Sequence, residues 1–287
     1  MMAIDHWLAR AAARLGAVSE TPRLDAELLL AHACRQSRTW LYTWGDRPLA
    51  ADQQERFETL LQARQAGEPV AYLLGRREFF GLELELTPAA LIPRPDTELL
   101  VEQALALMPA DHGGQVLDLG TGSGAIALAL ATARADWQCT GVDLSVAALE
   151  LAARNARRLG AANVRFLQSD YFEALTGERY GIIVSNPPYL SDSDPHLGQG
   201  DLRFEPRSAL VAGDNGLADL ARLIRQAPGY LQAGGHLLLE HGMAQGAGVR
   251  ALFRQAGYDM IATHEDLGGR PRVTLGRYRP VDEVSQR

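Results

Sequence analysis

Asn186-Pro187-Pro188-Tyr189 have the residue types and the order needed to hold a flat NH2 group. An amide or an exocyclic aromatic amine is a poor nucleophile because its nitrogen lone pair is delocalised. Two acceptors placed on its two N–H bonds orient it and favour positive charge developing on the nitrogen. The Asn186 side-chain oxygen is one such acceptor, and the Pro187 carbonyl is the other. Each proline biases the residue before it towards extended backbone, so Asn186 and Pro187 are held stiffly. Tyr189 offers a ring face against a planar group. An alkylated amide nitrogen is strongly acidic and releases its proton without a dedicated base, so the main task is positioning. A double proline often does no more than break a loop. Here it follows directly on the apolar run Ile182-Ile183-Val184, which favours the chemical reading.

A second constellation lies upstream. Asp118-Leu119-Gly120-Thr121-Gly122-Ser123-Gly124 joins a short apolar segment to the alanine- and leucine-rich stretch that follows. Glycines let the backbone turn sharply and approach a ligand, and a helix N-terminus favours a negative group. Asp143, at the end of the next apolar segment, is placed to accept hydrogen bonds from ribose hydroxyls. Turn and acid together describe a nucleoside site, with Gly120 through Gly124 and Asp143 as its residues. Gly120, Gly122 and Ala125 satisfy the relaxed dinucleotide pattern. S-adenosylmethionine, with its carboxylate at the helix terminus, fits equally. The turn alone does not choose between them, and a tight turn without a ligand is a third reading.

These residues need a frame that brings strand ends together. From Gln115 onward, apolar strands (116–119, 138–143, 164–168, 181–185, 236–240 and two closing strands) alternate with helices (123–134, 145–159, 217–231, 244–256). Such alternation implies a mostly parallel sheet with helices on both faces and ligands at the carboxyl ends of the strands. Thr21-Pro22 predicts an N-cap with proline at the first helical position. Phe57, Leu60 and Leu61 predict a second helix ending near Gly67. Phe80, Leu82, Leu84 and Leu86 alternate at period two and predict a strand or hairpin. The resulting division is a helical domain over 1–75, a connector with a β-hairpin over 76–92, a catalytic domain over 93–280 and a polar tail over 281–287.

Composition narrows the field. The 287 residues carry a net charge of −7, which argues against a broad grip on nucleic acid. All 28 basic residues are arginine, so a Walker A loop and Schiff-base chemistry are excluded. Cys34 and Cys139 are far apart, the histidines are scattered, and no metal is expected. The longest apolar run is too short to span a bilayer. The arginines among alanines before Gly16 are interrupted by Asp5, unlike a transit peptide. A cytoplasmic protein is expected, without membrane or direct nucleic-acid contact, and a monomer.

With these motifs in hand, the chain resembles the release-factor glutamine methyltransferase family. The likeness is carried by Glu68-Pro69-Val70-Ala71-Tyr72, Arg77-Glu78-Phe79, Leu91-Ile92-Pro93-Arg94-Pro95-Asp96-Thr97-Glu98, Asn186-Pro187-Pro188-Tyr189, Phe204-Glu205-Pro206 and Arg272-Val273-Thr274-Leu275-Gly276-Arg277. The resemblance implies an α/β, Rossmann-like class I S-adenosylmethionine-dependent methyltransferase fold. Its seven-stranded, mostly parallel sheet would have the last strand antiparallel, and a small helical substrate-docking domain would precede it. It implies S-adenosyl-L-methionine as cofactor and S-adenosyl-L-homocysteine as product. The implied substrate is the glutamine of the Gly-Gly-Gln loop of class I peptide chain release factors. Gly120, Thr121, Gly122, Ser123 and Gly124 would bind the methionine part of the cofactor and Asp143 its ribose. Asp170 and Tyr171 would lie near the adenine, where the family commonly has tryptophan, with Phe172 in the core. Asn186 would border both ligands, and Asn186, Pro187, Pro188 and Tyr189 would hold the glutamine.

Two further expectations concern the flanks. The long polar stretch 191–215 is expected to be a lid over the release-factor loop. Arg94, Asp96 and Glu98 either shape the substrate entrance or, as is favoured, cap the following helix, whose dipole the acids suit. Four other readings compete. Nucleobase amine methylation uses a related motif but generally needs a basic surface. Methylation of a ribosomal-protein glutamine is disfavoured by the helical domain. A nicotinamide oxidoreductase leaves Asn186 to Tyr189 unexplained, and a non-catalytic binding module leaves them idle.

Overall fold

Alternating apolar residues in the second half of the chain place side chains on both faces of a sheet, and this sheet organises the larger of two units. A computed structural model describes residues 2–280; the expected polar tail at 281–287 lies outside the described residues. The chain divides into one unit of Met1–Arg76 with Pro195–Phe204, and another of Arg77–Asp194 with Glu205–Arg287.

The larger unit opens with a hairpin, β1 (Arg76–Phe79) and β2 (Leu82–Glu85). Its sheet contains β3 (Gln115–Leu119), β4 (Gln138–Asp143), β5 (Val164–Gln168), β6 (Tyr180–Ser185), β7 (Leu231–Glu240), β8 (Tyr258–Glu265) and β9 (Pro271–Tyr278). The order is β5-β4-β3-β6-β7-β9-β8. Six strands run in one direction, and β9 alone is antiparallel, inserted between β7 and β8. Period-two alternation explains the two cores. Val116, Ile182 and Val184 join one buried cluster, whereas Leu117, Leu119 and Ile183 join the other.

Numbering the helices from the amino terminus, α1 (Ile4–Leu15), α2 (Pro22–Cys34), α3 (Arg38–Thr43), α4 (Ala51–Gln65) and α5 (Val70–Leu74) form the helical unit. The first sheet face is covered by α6 (Glu98–Ala106) and α7 (Ala125–Ala133), with α8 (Val146–Leu159) packed on β4 and β5. Beyond the single turn α9 (Gly213–Gly216), the other face is covered by α10 (Ala218–Gln226) and α11 (Gly246–Gln255). Helix α10 buries Leu220, Leu223 and Ile224 at helical spacing.

The helical unit has its own core of Ile4, Leu8, Leu15, Leu29, Leu30, Leu41, Phe57 and Leu61. Inside it, buried Arg64 donates to Asp25 Oδ2 at 2.8 Å, to the carbonyls of Gly67 and Glu68, and to Asp201 at 3.1 Å. Asp25 is further bound by the hydroxyls of Ser19 and Thr21.

Three expectations need correction. Thr21 and Pro22 stand at the N-cap and in the first turn of α2 as expected, but the Thr21 side chain accepts no backbone N–H, and its hydroxyl donates to Asp25. The helix expected to reach Leu231 ends at Gln226, because Pro228 and Gly229 lie in a 3-10 turn and break it. The chain then enters β7 at Leu231, five residues before the expected start. Asp96 and Glu98 make no side-chain cap. Asp96 instead pairs with Arg272 at 3.0 Å, and Glu98 accepts from the backbone N–H of Phe80, which has a positive φ of 51°.

Candidate active site

The carboxyl ends of β3, β4 and β6 bring the two sequence constellations to one edge of the sheet. Asp118 and Leu119 pair in register with Val184 and Ser185 of β6, and with Gly141 and Val142 of β4. The glycine turn therefore leaves β3 between Asp143 on one side and Asn186 on the other. Ser185 stitches the junction by donating its hydroxyl to the Leu119 carbonyl at 2.7 Å.

The turn is built from within. Gly120 and Thr121 both donate backbone N–H groups to the Val142 carbonyl. Gly120, Gly122 and Gly124 all have positive φ, at 71°, 56° and 83°. A Cβ on Gly120 would meet nothing within 4 Å, so open space faces the backbone there. A Cβ on Gly124 would meet Leu128 at 3.0 Å and Ala152 at 3.1 Å, so that glycine serves helix packing. Asp118 lies beneath the turn and accepts from the Thr121 hydroxyl at 2.6 Å and from the N–H of Ala127. Burial raises its pKa to about 7. Ser123 is buried, and its carbonyl accepts from Asn155.

Asp143 is half-buried and held by the backbone N–H groups of Gly122 at 2.9 Å and Ser145 at 2.8 Å. Two backbone donors orient the carboxylate and leave it lone pairs towards the open edge. Beside it, Leu144 and Val146 are exposed to 67% and 51%. These exposed apolar neighbours were not singled out in the sequence, although two large hydrophobics beside Asp143 are legible there.

Asp170 and Tyr171 follow β5. Asp170 is bound by Arg222 at 2.7 Å, and the Arg222 guanidinium lies 5.0 Å from the Tyr171 ring centre. Tyr171 has a φ of 50°, and burial, followed by Asp219, drives its hydroxyl pKa upward. Phe172 is buried and stacks on Tyr230, as expected of a core residue.

The tetrapeptide leaves β6 with Pro187 buried and Asn186, Pro188 and Tyr189 half-buried. Asn186 donates its side-chain nitrogen to the Thr97 hydroxyl at 3.2 Å, which leaves Oδ1 as an acceptor. Tyr189 donates its hydroxyl to Glu240 Oε1 at 3.3 Å, and its carbonyl accepts from Gln245 at 3.1 Å. Burial pushes the Tyr189 phenol well above its ordinary range, and Glu240 acts in the same direction. Glu240, at the end of β7, is 1% exposed, and burial raises its pKa to about 7. Thr97 and Glu240 were not singled out in the sequence as site residues. An acid ending the apolar run Leu237-Leu238-Leu239 was the available signal.

Nearby, Glu205 accepts from the N–H of Ile92 and from Arg94, which ties two motifs far apart in sequence. Among the described residues, no cluster of His, Cys, Asp or Glu has the form of a metal site. Cys34 and Cys139 are both free and buried.

The sheet order with its antiparallel β9, and the motifs gathered at its carboxyl edge, define a methyltransferase of the class I fold. Residues 95–199 match the methyltransferase small domain family, and residues 6–75 match the PrmC N-terminal domain. A release factor glutamine methyltransferase of Salmonella typhimurium is 53% identical over 97% of this chain and 100% of its own length. Its Escherichia coli counterpart is 52% identical over 96% and 99%. The chain belongs to the release factor glutamine methyltransferase family. A T. thermophilus 16S rRNA N2 G1207 methyltransferase, solved with AdoMet and guanosine, shares the fold: TM-score 0.53, 23% identity, 71% of this chain and 50% of that one.

Proposed function

We propose that the chain transfers a methyl group from S-adenosyl-L-methionine to the side-chain amide nitrogen of glutamine in the Gly-Gly-Gln loop of class I peptide chain release factors. S-adenosyl-L-homocysteine is the second product. The observation that carries this reading is Asn186. Its nitrogen is committed to Thr97, so its oxygen is the atom offered at the sheet edge next to the glycine turn. The close kinship to release factor glutamine methyltransferases over nearly the full length supports the choice of substrate.

The residues suit the cofactor. Open space before Gly120 admits a close backbone approach, Asp143 suits ribose hydroxyls, and Leu144 suits a flat base. When bound, the cofactor supplies an electrophilic methyl carbon on a sulfonium. Asn186 Oδ1 and the Pro187 carbonyl hold the two amide hydrogens of the glutamine and stabilise positive charge growing on its nitrogen. The C–N bond forms as the C–S bond breaks, and the nitrogen then gives its extra proton to solvent or to an acceptor. The Tyr189 ring, held at both hydroxyl and carbonyl, fixes the plane of the amide.

Asp170 and Tyr171 are proposed to border the adenine, and the 191–215 stretch to cover the release-factor loop. Incubation of an unmodified class I release factor with S-adenosylmethionine, followed by peptide mass spectrometry, tests the function. A single methyl on the Gly-Gly-Gln glutamine is expected. Transfer to ribosomal protein or to nucleic acid, with none to the factor, overturns the substrate.

A further inference from the structure

Helix α10 carries an arginine whose contacts all fall on the turn that follows β5. Leu220, Leu223 and Ile224 of this helix are buried, and Arg222 stands among them half-buried. Its guanidinium donates from Nη1 to Asp170 Oδ1 at 2.7 Å, and its Nη2 lies 3.7 Å from Glu173 Oε1. The Tyr171 ring centre is 5.0 Å from the guanidinium carbon, within the range of a cation–π contact. The fork therefore meets both ends of the 170–173 turn, which is closed by the Glu173 N–H donating to the Asp170 carbonyl at 3.2 Å.

Ser169 fixes the same turn from within. It donates its hydroxyl to the Tyr171 carbonyl at 2.8 Å and accepts the Ala174 N–H at 3.0 Å. Its own N–H donates to the Asp143 carbonyl at 3.0 Å, so the turn is tied to the acid proposed for the ribose. Tyr171 holds a φ of 50°, and left-handed backbone under a bulky side chain concentrates at functional positions. A partly exposed ion pair adds little to stability, so three contacts from one guanidinium to one turn point to what the turn presents. Arg222 takes Oδ1 of Asp170 and leaves Oδ2 as an acceptor. A carboxylate bonded to a guanidinium accepts and does not donate. It suits the exocyclic amine of adenine and opposes a carbonyl oxygen in the same place. We infer that Arg222 is a positioning and specificity-determining residue for the cofactor base. By gripping the 170–173 turn at both ends it fixes the Asp170 carboxylate and the Tyr171 ring, so that the site selects a 6-aminopurine.

This inference rests on the proposed placement of the adenine beside Asp170 and Tyr171, and its test needs no release factor. Full-length protein is titrated calorimetrically with S-adenosylhomocysteine and with S-inosylhomocysteine, its 6-oxo counterpart. Wild type is expected to favour the adenine compound by about tenfold or more. Arg222→Met keeps the stem and loses the guanidinium. It is expected to weaken S-adenosylhomocysteine by about fivefold or more and the 6-oxo compound by less than about twofold, which lowers the preference. Arg222→Lys keeps the charge without the planar fork and is expected to fall between the two. The thermal midpoint of Arg222→Met is expected within about 2 °C of wild type, so the lost preference is not lost folding. A wild-type preference retained in Arg222→Met overturns the inference, as does equal affinity of the wild type for both compounds. Asp170→Ala separates the two ways of failing. Preference lost in Asp170→Ala but kept in Arg222→Met refutes the part given to Arg222 and sustains the adenine placement. Preference kept in both refutes the placement as well.

Discussion

At the scale of single residues, the groups proposed to touch the substrate are distinct from the groups that hold them in place. Tyr189 is proposed to offer its ring face to the substrate, and it donates its hydroxyl to Glu240. Tyr189→Phe is therefore expected to keep methyl transfer within roughly tenfold of wild type, while Tyr189→Ala loses about a hundredfold in kcat/KM. Steady-state kinetics with the release factor checks both. The two buried acids give a pH signature. Burial raises Asp118 from 3.8 and Glu240 from 4.5 to about 7 in the folded state. The folded protein then binds more protons than the unfolded chain between those limits, so these groups cost stability as pH rises towards and through 7. His32, His236 and His241, whose pKa values burial lowers, work in the opposite sense. The measurement is thus a difference. Denaturation midpoints of Asp118→Asn and Glu240→Gln, relative to wild type, are expected to rise from pH 5 to pH 8. A difference that stays flat contradicts the burial argument. Asn186 and Tyr189 were legible in the sequence because four consecutive residues carry their chemistry. Thr97 and Glu240 were not, because they meet Asn186 and Tyr189 only after β6, β7 and the turn before α6 are assembled.

At the scale of elements, the glycine turn combines two demands that the sequence shows as one motif. Gly120 faces open space, whereas Gly124 is closed in by Leu128 and Ala152. Gly120→Ala is expected to cost only the positive-φ strain, about 1–2 kcal/mol, while weakening cofactor binding. Gly124→Val adds a clash to that strain and is expected to lower stability by more, about 3 kcal/mol or above. Calorimetry and cofactor titration on the two variants separate these effects. The strands were readable because apolar runs between turn signals leave little choice. The expected helix overruns α10 because Tyr230 and Leu231 continue its apolar pattern past Pro228, and the ring of a proline overrides that pattern. The acids of the Pro95 motif were read as caps, since a sequence cannot show that Arg272 and the Phe80 N–H compete for them. The 191–215 stretch is also more structured than a bare loop. Leu190 exchanges backbone hydrogen bonds with Leu210 and Ala212 across its base. Replacing Pro195–Phe204 by a short glycine–serine linker is expected to reduce methylation of the release factor far more than cofactor binding. Equal losses contradict a lid.

At the scale of the whole molecule, the chain joins a sheet-based catalytic unit to a helical unit that includes a segment inserted from much later in the sequence. Arg64 holds that segment through Asp201, and neutralises buried Asp25. Arg64→Met leaves Asp25 without its guanidinium partner and is expected to destabilise the helical unit by about 3–5 kcal/mol. Thermal denaturation followed in that variant should show it, with cofactor affinity unchanged. The alternation of strands and helices foretold the parallel sheet, and the resemblance supplied the antiparallel β9. The grouping of 195–204 with the helices was not legible, because the observed tie, the Arg64–Asp201 ion pair, joins residues 137 positions apart.

The claim that ties these scales together is that Asn186 holds the substrate amide. Single-turnover methyl transfer by Asn186→Ala, measured alongside its cofactor Kd on an unmodified class I release factor, tests it most directly. The account predicts a loss of about a hundredfold or more in rate, with cofactor affinity within about threefold of wild type. Transfer at the wild-type rate would contradict it.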